Sequence, residues 1–268
     1  MSSKTISKIL DSGKPSSVGK IGFSEMKVLY STLSSQPLTQ SDFHDIFVVA
    51  GVFPPTQEAL ISFVEEMRRD LPEVDVLSEM GIDSKRELSV IDYYTYNPEI
   101  IALRDIEPYY WENPWSLSLE DKKVLIISPF TETINNQYLK RSYIWEKDIL
   151  PHMELNFIKC PTSHYLKESE FISWIDCLYN IKDQMKQIDF DVCLIGAGAW
   201  SLPLAVEAKR LGKIGIHMGG PLQILFGIKG ARWDEHEDIS KMYNEYWVRP
   251  SQEETPEGCK LVEGGCYW

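Results

Sequence analysis

Apolar positions in this chain follow two alternating rhythms. Short apolar stretches at Val124–Ser128, Leu155–Lys159, Val192–Ile195 and Ile214–His217 predict strands, the first of them buried. Between them, residues 131–145, 168–187 and 202–211 place apolar side chains at helical spacing. Strand and helix in turn predict an α/β fold: a mostly parallel sheet with helices on both faces. The first third is less regular. Val18–Ile21 and Phe47–Val52 read as strands, and Ser24-Glu25 opens a helix running to about Leu33. Thr56 caps a helix over residues 57–69, residues 71–79 read as a loop or short helix, and 108–115 form an aromatic, turn-rich segment. No repeat or linker divides the chain, so one domain is expected over residues 1–268, with a flexible tail at 1–15 and a loop-like tail at 251–268.

The ends of the later strands carry unusual loops: residues 129–133, 160–164, 196–200 and 217–220. In a parallel sheet all of them emerge on one edge, which is the default binding crevice. Two of these loops are glycine-rich, so a phosphorylated small molecule is the first ligand to consider. Gly196, Ala197 and Gly198 either admit a phosphate to the backbone or make a tight turn that needs small residues. The third glycine of a dinucleotide fingerprint is absent (Ser201), and the next strand ends in His217 rather than an acid, which argues against NAD. His217, Gly219 and Gly220 read as a hydrogen-bonding and anion-nest site or as a core histidine and turn; Gln223 follows on the next helix. Two basic groups offer a phosphate clamp: Gln137, Lys140 and Arg141 on the helix after the 129–133 turn, and Lys229 and Arg232 beside Trp233. Both also fit solvated surface. Glu25 and Asp75 are early carboxylates at predicted turns, available as a general base.

Composition narrows the classes. The formal charge of −13 argues against a nucleic acid or an anionic membrane as partner. Hydrophobic content of 43% and charged content of 25% are those of an ordinary globular chain. No run approaches the roughly 18 apolar residues of a membrane span, and the first residues lack the apolar stretch of a signal peptide, so a cytoplasmic setting is expected. The five cysteines are scattered: Cys160, Cys177 and Cys193 fall in apolar patterns, whereas Cys259 and Cys266 lie in the tail, where a reactive thiol is conceivable.

Residues 15–30 (PSSVGKIGFSEMKVLY), followed much later by DVCLIGAGAW and LGKIGIHMGG, resemble the GT-D-fold glycosyltransferases. Members of that family open with a strand close to R-[FY]-G-D-G-E and close with a glycine-rich turn and a strand ending near D-I-G-H. Lys20 stands near the arginine, Gly22 at the first glycine, Glu25 at the glutamate, His217 at the final aspartate and Gly220 at the histidine. Phe23 and Ser24 replace the aspartate and glycine. The segments PWS, VLIISPF, INNQYLKR, LFGIKGARW and YWVRP resemble a sub-branch found in surface-polysaccharide gene clusters and some large viruses. The resemblance implies a Rossmann-like domain of GT-D type, a nucleotide-sugar donor (a UDP-sugar foremost) and transfer to a hydroxyl of a glycan or glycoprotein acceptor. It implies Glu25 and Asp75 as catalytic carboxylates, with Lys20, Gly22 and Ser24 joining the residues above around the donor. Phe23 breaks the metal-linked D-x-E pattern, so no metal ligands are assigned and manganese or magnesium is not expected to be required. Loss of that aspartate leaves a nucleotide-binding protein without transferase activity as the alternative. A SAM methyltransferase is disfavoured, because no acid ends the strand at Lys159-Cys160.

Overall fold

The apolar runs pair into one sheet. The computed structural model describes residues 4–81, 83–162 and 170–268. Among them seven parallel strands stand in the order β3-β2-β1-β7-β6-β4-β5. They are β1 (Ser16–Lys20), β2 (Val76–Glu79), β3 (Glu99–Ala102), β4 (Lys123–Ser128), β5 (Glu154–Lys159), β6 (Val192–Ile195) and β7 (Ile214–His217). The longer helices are α1 (Lys4–Ser12), α2 (Phe23–Ser34), α3 (Gln40–His44), α4 (Gln57–Asp70), α5 (Ser84–Tyr94) and α6 (Thr131–Tyr138). After them come α7 (Arg141–Ile144), α8 (Trp174–Met185), α9 (Ser201–Arg210), α10 (Pro221–Leu225) and α11 (Ala231–Asp234).

Strand alternation divides the core into two layers. Leu125, Ile127, Cys193 and Ile195 face a layer built with α2, α4, α5, α8 and α9. Val124, Ile126, Val192, Leu194, Ile214 and Ile216 face another, with α1, α6, α7 and α10. The steps β1→β2→β3 and β5→β6→β7 advance the same way across the sheet, so right-handed crossovers put their helices on one face; β4→β5 runs the opposite way and puts α6 on the other. At the carboxyl edge the chain therefore leaves β1 toward the first face and β7 toward the second. A crevice opens between neighbouring strands where connections diverge in this way. Helix α9 lies directly on β1 and β7: a Cβ at Gly215 would collide with the Ala205 backbone, and one at Gly19 would stand 2.5 Å from Leu202 Cδ1.

Several expected elements differ. Phe47–Val52, a β-branched apolar run that reads as a strand, instead enters a π-turn over Asp45–Val49, closed by Ala50 N–H donating to Asp45 C=O at 2.9 Å. The segment expected as loop or short helix at 71–79 ends in β2, which pairs on both sides. The single helix expected over 131–145 breaks at Leu139-Lys140, where Lys140 N–H bonds Gln137 C=O at 2.8 Å, and Trp145 is extended. The first fifteen residues are not a free tail, because α1 buries Ile6 and Leu10 completely. Nor is the last segment a free loop: Val262 and Cys266 are buried, and Trp268 Nε1 donates to Glu254 C=O at 2.8 Å. The expected helix over 168–187 is present as α8 but starts only at Trp174, where Ser173 caps it; residues 168 and 169, and Ser163 and His164 of the 160–164 loop, lie outside the described residues.

A candidate functional site at the carboxyl edge

The four loops do meet. With the end of β1 they line a cleft of about 560 Å³ that takes in Lys20, Gly22, Ser24, Glu25, Ser128–Phe130, Cys160–Thr162, Gly196–Gly198, His217, Gly219, Gly220, Gln223 and Arg232. Lys20 is the last residue of β1, and Glu25 sits in the first turn of α2, three residues past the N-cap Gly22. Its carboxylate folds back over Gly22, where any Cβ would collide with it. Burial pushes the Glu25 carboxyl above its ordinary range, opposed by its own N–H and by Lys20. Lys20 has no ion pair among the described residues; burial pulls its ammonium down, with Glu107 and Glu25 opposing and Arg232 adding repulsion. Glu107, behind the cleft, is pushed up by burial against the attraction of Lys20. His217 is driven down to about 3 by burial and then by the Lys20 charge, so it is neutral at pH 7.

The glycines serve this assembly more than they open the backbone. Gly219 has φ +68° and passes Lys20, whose Nζ is 3.5 Å from the place a Cβ would take. Gly220 lies against Trp233 and Tyr267, and Gly198, with φ +54°, turns against Ala50 C=O. Ala197 N–H is taken by Ser201 Oγ at 2.9 Å, the hydroxyl standing where a fingerprint glycine would be. The reading of this turn as a tight junction is therefore the better one for Ala197 and Gly198.

Five expected site residues stand elsewhere. Asp75 lies at the opposite, amino edge, where Lys209 Nζ reaches it at 2.7 Å and Ser17 N–H at 2.9 Å; it ties β1, β2 and α9 together. Gln137 is buried and donates from Nε2 to Phe226, Gly227 and Tyr246 carbonyls at 3.3, 3.1 and 3.0 Å. Lys140 is exposed, Arg141 lies over the Tyr138 ring and Lys229 over Tyr243, all outside the cleft. Of the basic residues offered as a clamp, only Arg232 reaches it. Gln223 lines the cleft, but its Nε2 is held by Lys229 and Tyr267 carbonyls at 3.0 and 2.6 Å.

Sequence reasoning missed both walls. One is the turn at 45–51, contributing Asp45 and Val49–Gly51. The other is the chain end, contributing Val262, Glu263, Tyr267 and Trp268. Val48 packs on Val262 and Cys266, so the walls touch. An aromatic pair following Glu-Gly-Gly was the available signal for the second wall; the first had none. Cys266, offered as a reactive thiol, is buried and pushed up to about 12, which removes its nucleophilicity at neutral pH.

The D-x-E aspartate position is filled by Phe23, half-exposed at the cleft mouth with Lys27 Nζ 4.4 Å above its ring. Among the described residues, the remaining cleft carboxylates do not fit a divalent ion. Asp45 is held by Lys27 at 3.1 Å, Glu263 by Arg232, and Glu25 stands beside Lys20, whereas a hard cation wants several free oxygens together.

A sequence profile described as a GT-D fold-like domain matches residues 3–225. The parallel sheet, the cleft at its carboxyl edge and this match agree, and the chain belongs to the GT-D-like family. No curated protein and no solved structure matches. No helix among the described residues is long and apolar enough to cross a membrane.

Proposed function

We propose that this protein is a glycosyltransferase that takes a sugar from a nucleoside-diphosphate sugar, a UDP-sugar foremost, and passes it to a hydroxyl of a glycan or glycoprotein acceptor. One observation carries this reading: Glu25, Lys20 and Arg232 converge in the cleft at the carboxyl edge of a GT-D-like sheet. The acceptor oxygen attacks the anomeric carbon while Glu25 takes its proton. The bond from that carbon to the diphosphate oxygen breaks, and the electron pair leaves with the nucleoside diphosphate. A base with a raised pKa suits proton removal near neutral pH. Lys20 beside Gly219, and Arg232 in the same cleft, suit the charge of the leaving group. His217, held neutral, can offer a hydrogen bond without adding charge.

No metal ion enters this scheme, and transfer is expected to persist after exhaustive EDTA treatment. Loss of transfer with recovery on manganese or magnesium would contradict the scheme. Binding without transfer is the competing reading, and it draws on Phe23. Thermal-shift screening of nucleotide-sugars, followed by transfer and donor-hydrolysis assays on the best binder, separates the two. Stabilisation by UDP with neither reaction would favour the binding protein; no stabilisation by any nucleotide would remove both.

A further inference from the structure

The matched family region stops at residue 225, yet the cleft does not. Residues beyond it supply Arg232, Val262, Glu263, Tyr267 and Trp268. Most of this extension is fastened. Ala231 N–H donates to Trp268 C=O at 3.0 Å, Arg232 N–H to Cys266 C=O at 3.2 Å, and the Trp268 ring meets Phe130 edge-on at 6.1 Å. Arg232 is placed by these bonds and by the Tyr267 ring, 5.0 Å from its guanidinium. Glu263 differs from its neighbours. It pairs with Arg232 Nη2 from a backbone with φ +46°, where side-chain-bearing residues are uncommon, and Gly264 and Gly265 follow at +71° and +87°. The Glu263 side chain is 44% exposed, so it can release into solvent.

We propose that Glu263 is a specificity-determining residue that competes with the donor's diphosphate for Arg232. Its carboxylate occupies Arg232 Nη2 through one oxygen, a donor that a phosphate oxygen would equally take. A diphosphate entering beside Lys20 and the Gly219-Gly220 turn displaces it, and Arg232 exchanges one anionic partner for another without moving its backbone. A ligand lacking phosphate cannot drive that exchange, so the pair screens entrants by charge. This rests on the reading that the cleft takes a nucleoside diphosphate.

The test is calorimetric titration of UDP, inorganic pyrophosphate and uridine into the full chain and its Glu263→Gln and Glu263→Ala variants, with melting temperatures recorded alongside. Competition predicts that both variants bind UDP and pyrophosphate about three- to tenfold more tightly, while uridine is unaffected. Unchanged or weaker phosphate binding in variants that melt like the parent would overturn it, because a carboxylate that only positions Arg232 gives that opposite sign. If UDP and pyrophosphate bind none of the three proteins, the nucleotide reading itself falls, and the competition with it.

Discussion

Between α4, α8 and α9, Lys182 Nζ stands 2.6 Å from Glu66 and 3.7 Å from Asp70, while Arg210 reaches Asp70 at 2.8 Å and Glu73 at 2.6 Å. At the carboxyl edge, the half-buried Lys20 and Glu25 and the buried His217 line the cleft, and none of them forms an ion pair among the described residues. The first group closes on itself: each cation has a carboxylate within bonding distance, and the cluster joins three helices. Asp70 is still pushed up to about 6, because burial outweighs the two cations beside it. The second group keeps its charges near one another but uncommitted. Burying charge without a partner is unfavourable, and a fold keeps such groups where a ligand completes them. The difference separates charge that holds the molecule together from charge held ready for a substrate.

The sharpest way to break this distinction is Glu25→Gln. Transfer should fall by about 10²- to 10⁴-fold, read as initial rate with saturating donor. Stability at pH 7 should hold or rise, because the variant removes a carboxylate whose raised pKa marks its charged form as disfavoured in the fold. A near-parental rate would remove Glu25 from the chemistry. Lys182→Met is the counterpart in the helix cluster. It removes the buried cation nearest Glu66, leaves Asp70 to Arg210 and Glu66 to the half-exposed Arg69, and should lower unfolding free energy by up to about 3–5 kcal/mol, measured by urea denaturation. An unchanged midpoint would show that this cluster is no more committed than the cleft.

Lys20→Met should do the reverse of Lys182→Met. Stability should stay within about 1 kcal/mol, since no ion pair is lost, while UDP affinity falls at least about tenfold. A large loss of stability with unchanged UDP binding would move Lys20 into the structural group. The effect of His217 is confined to acid pH. Below its ordinary value of 6.5 the unfolded chain takes up a proton that the folded chain refuses down to about 3. His217 thus contributes stability that is present above pH 6.5 and lost as pH falls through that window. His217→Gln should flatten the fall in stability there by up to about 1.4 kcal/mol per pH unit; identical slopes in the two proteins would contradict its buried neutrality.

How much was legible follows from where the signal comes from. Strands β4, β6 and β7 are mostly apolar runs buried on both faces, the edge strand β5 is mixed and only partly buried, and all four read correctly to within a residue. The short strands did not: β2 is Val-Leu-Ser-Glu and β3 is Glu-Ile-Ile-Ala at the sheet edge, too brief and too polar to announce a strand. The run at 47–52 carries β-branched residues that favour a strand in isolation, yet a backbone bond back to Asp45 decides its shape. In the site, residues next to strand ends were readable because topology alone brings strand ends together. Asp75 misled because it precedes a strand that was not foreseen, and so falls on the wrong edge. Lys140 and Lys229 misled because composition marks a cation but not the direction it faces. The partner of Arg232 lies at the far end of the chain, and no local pattern connects Glu263 to it.

The seam in the middle of the sheet has a consequence for how the protein comes into being. Strand β1 lies beside β7, with Ser16 opposite Ile214, so the first strand to leave the ribosome waits for the last before its second neighbour exists. Contacts this distant in sequence form late, after the loop between them has closed. Lys20 and His217 come from the two sides of that seam. A nascent chain interrupted before β7 can assemble β1, β2 and β3, but it carries only one margin of the cleft. Completion of the sheet therefore brings the two margins of the cleft together, and the segment from Arg232 to Trp268 that walls it comes later still in each newly made molecule.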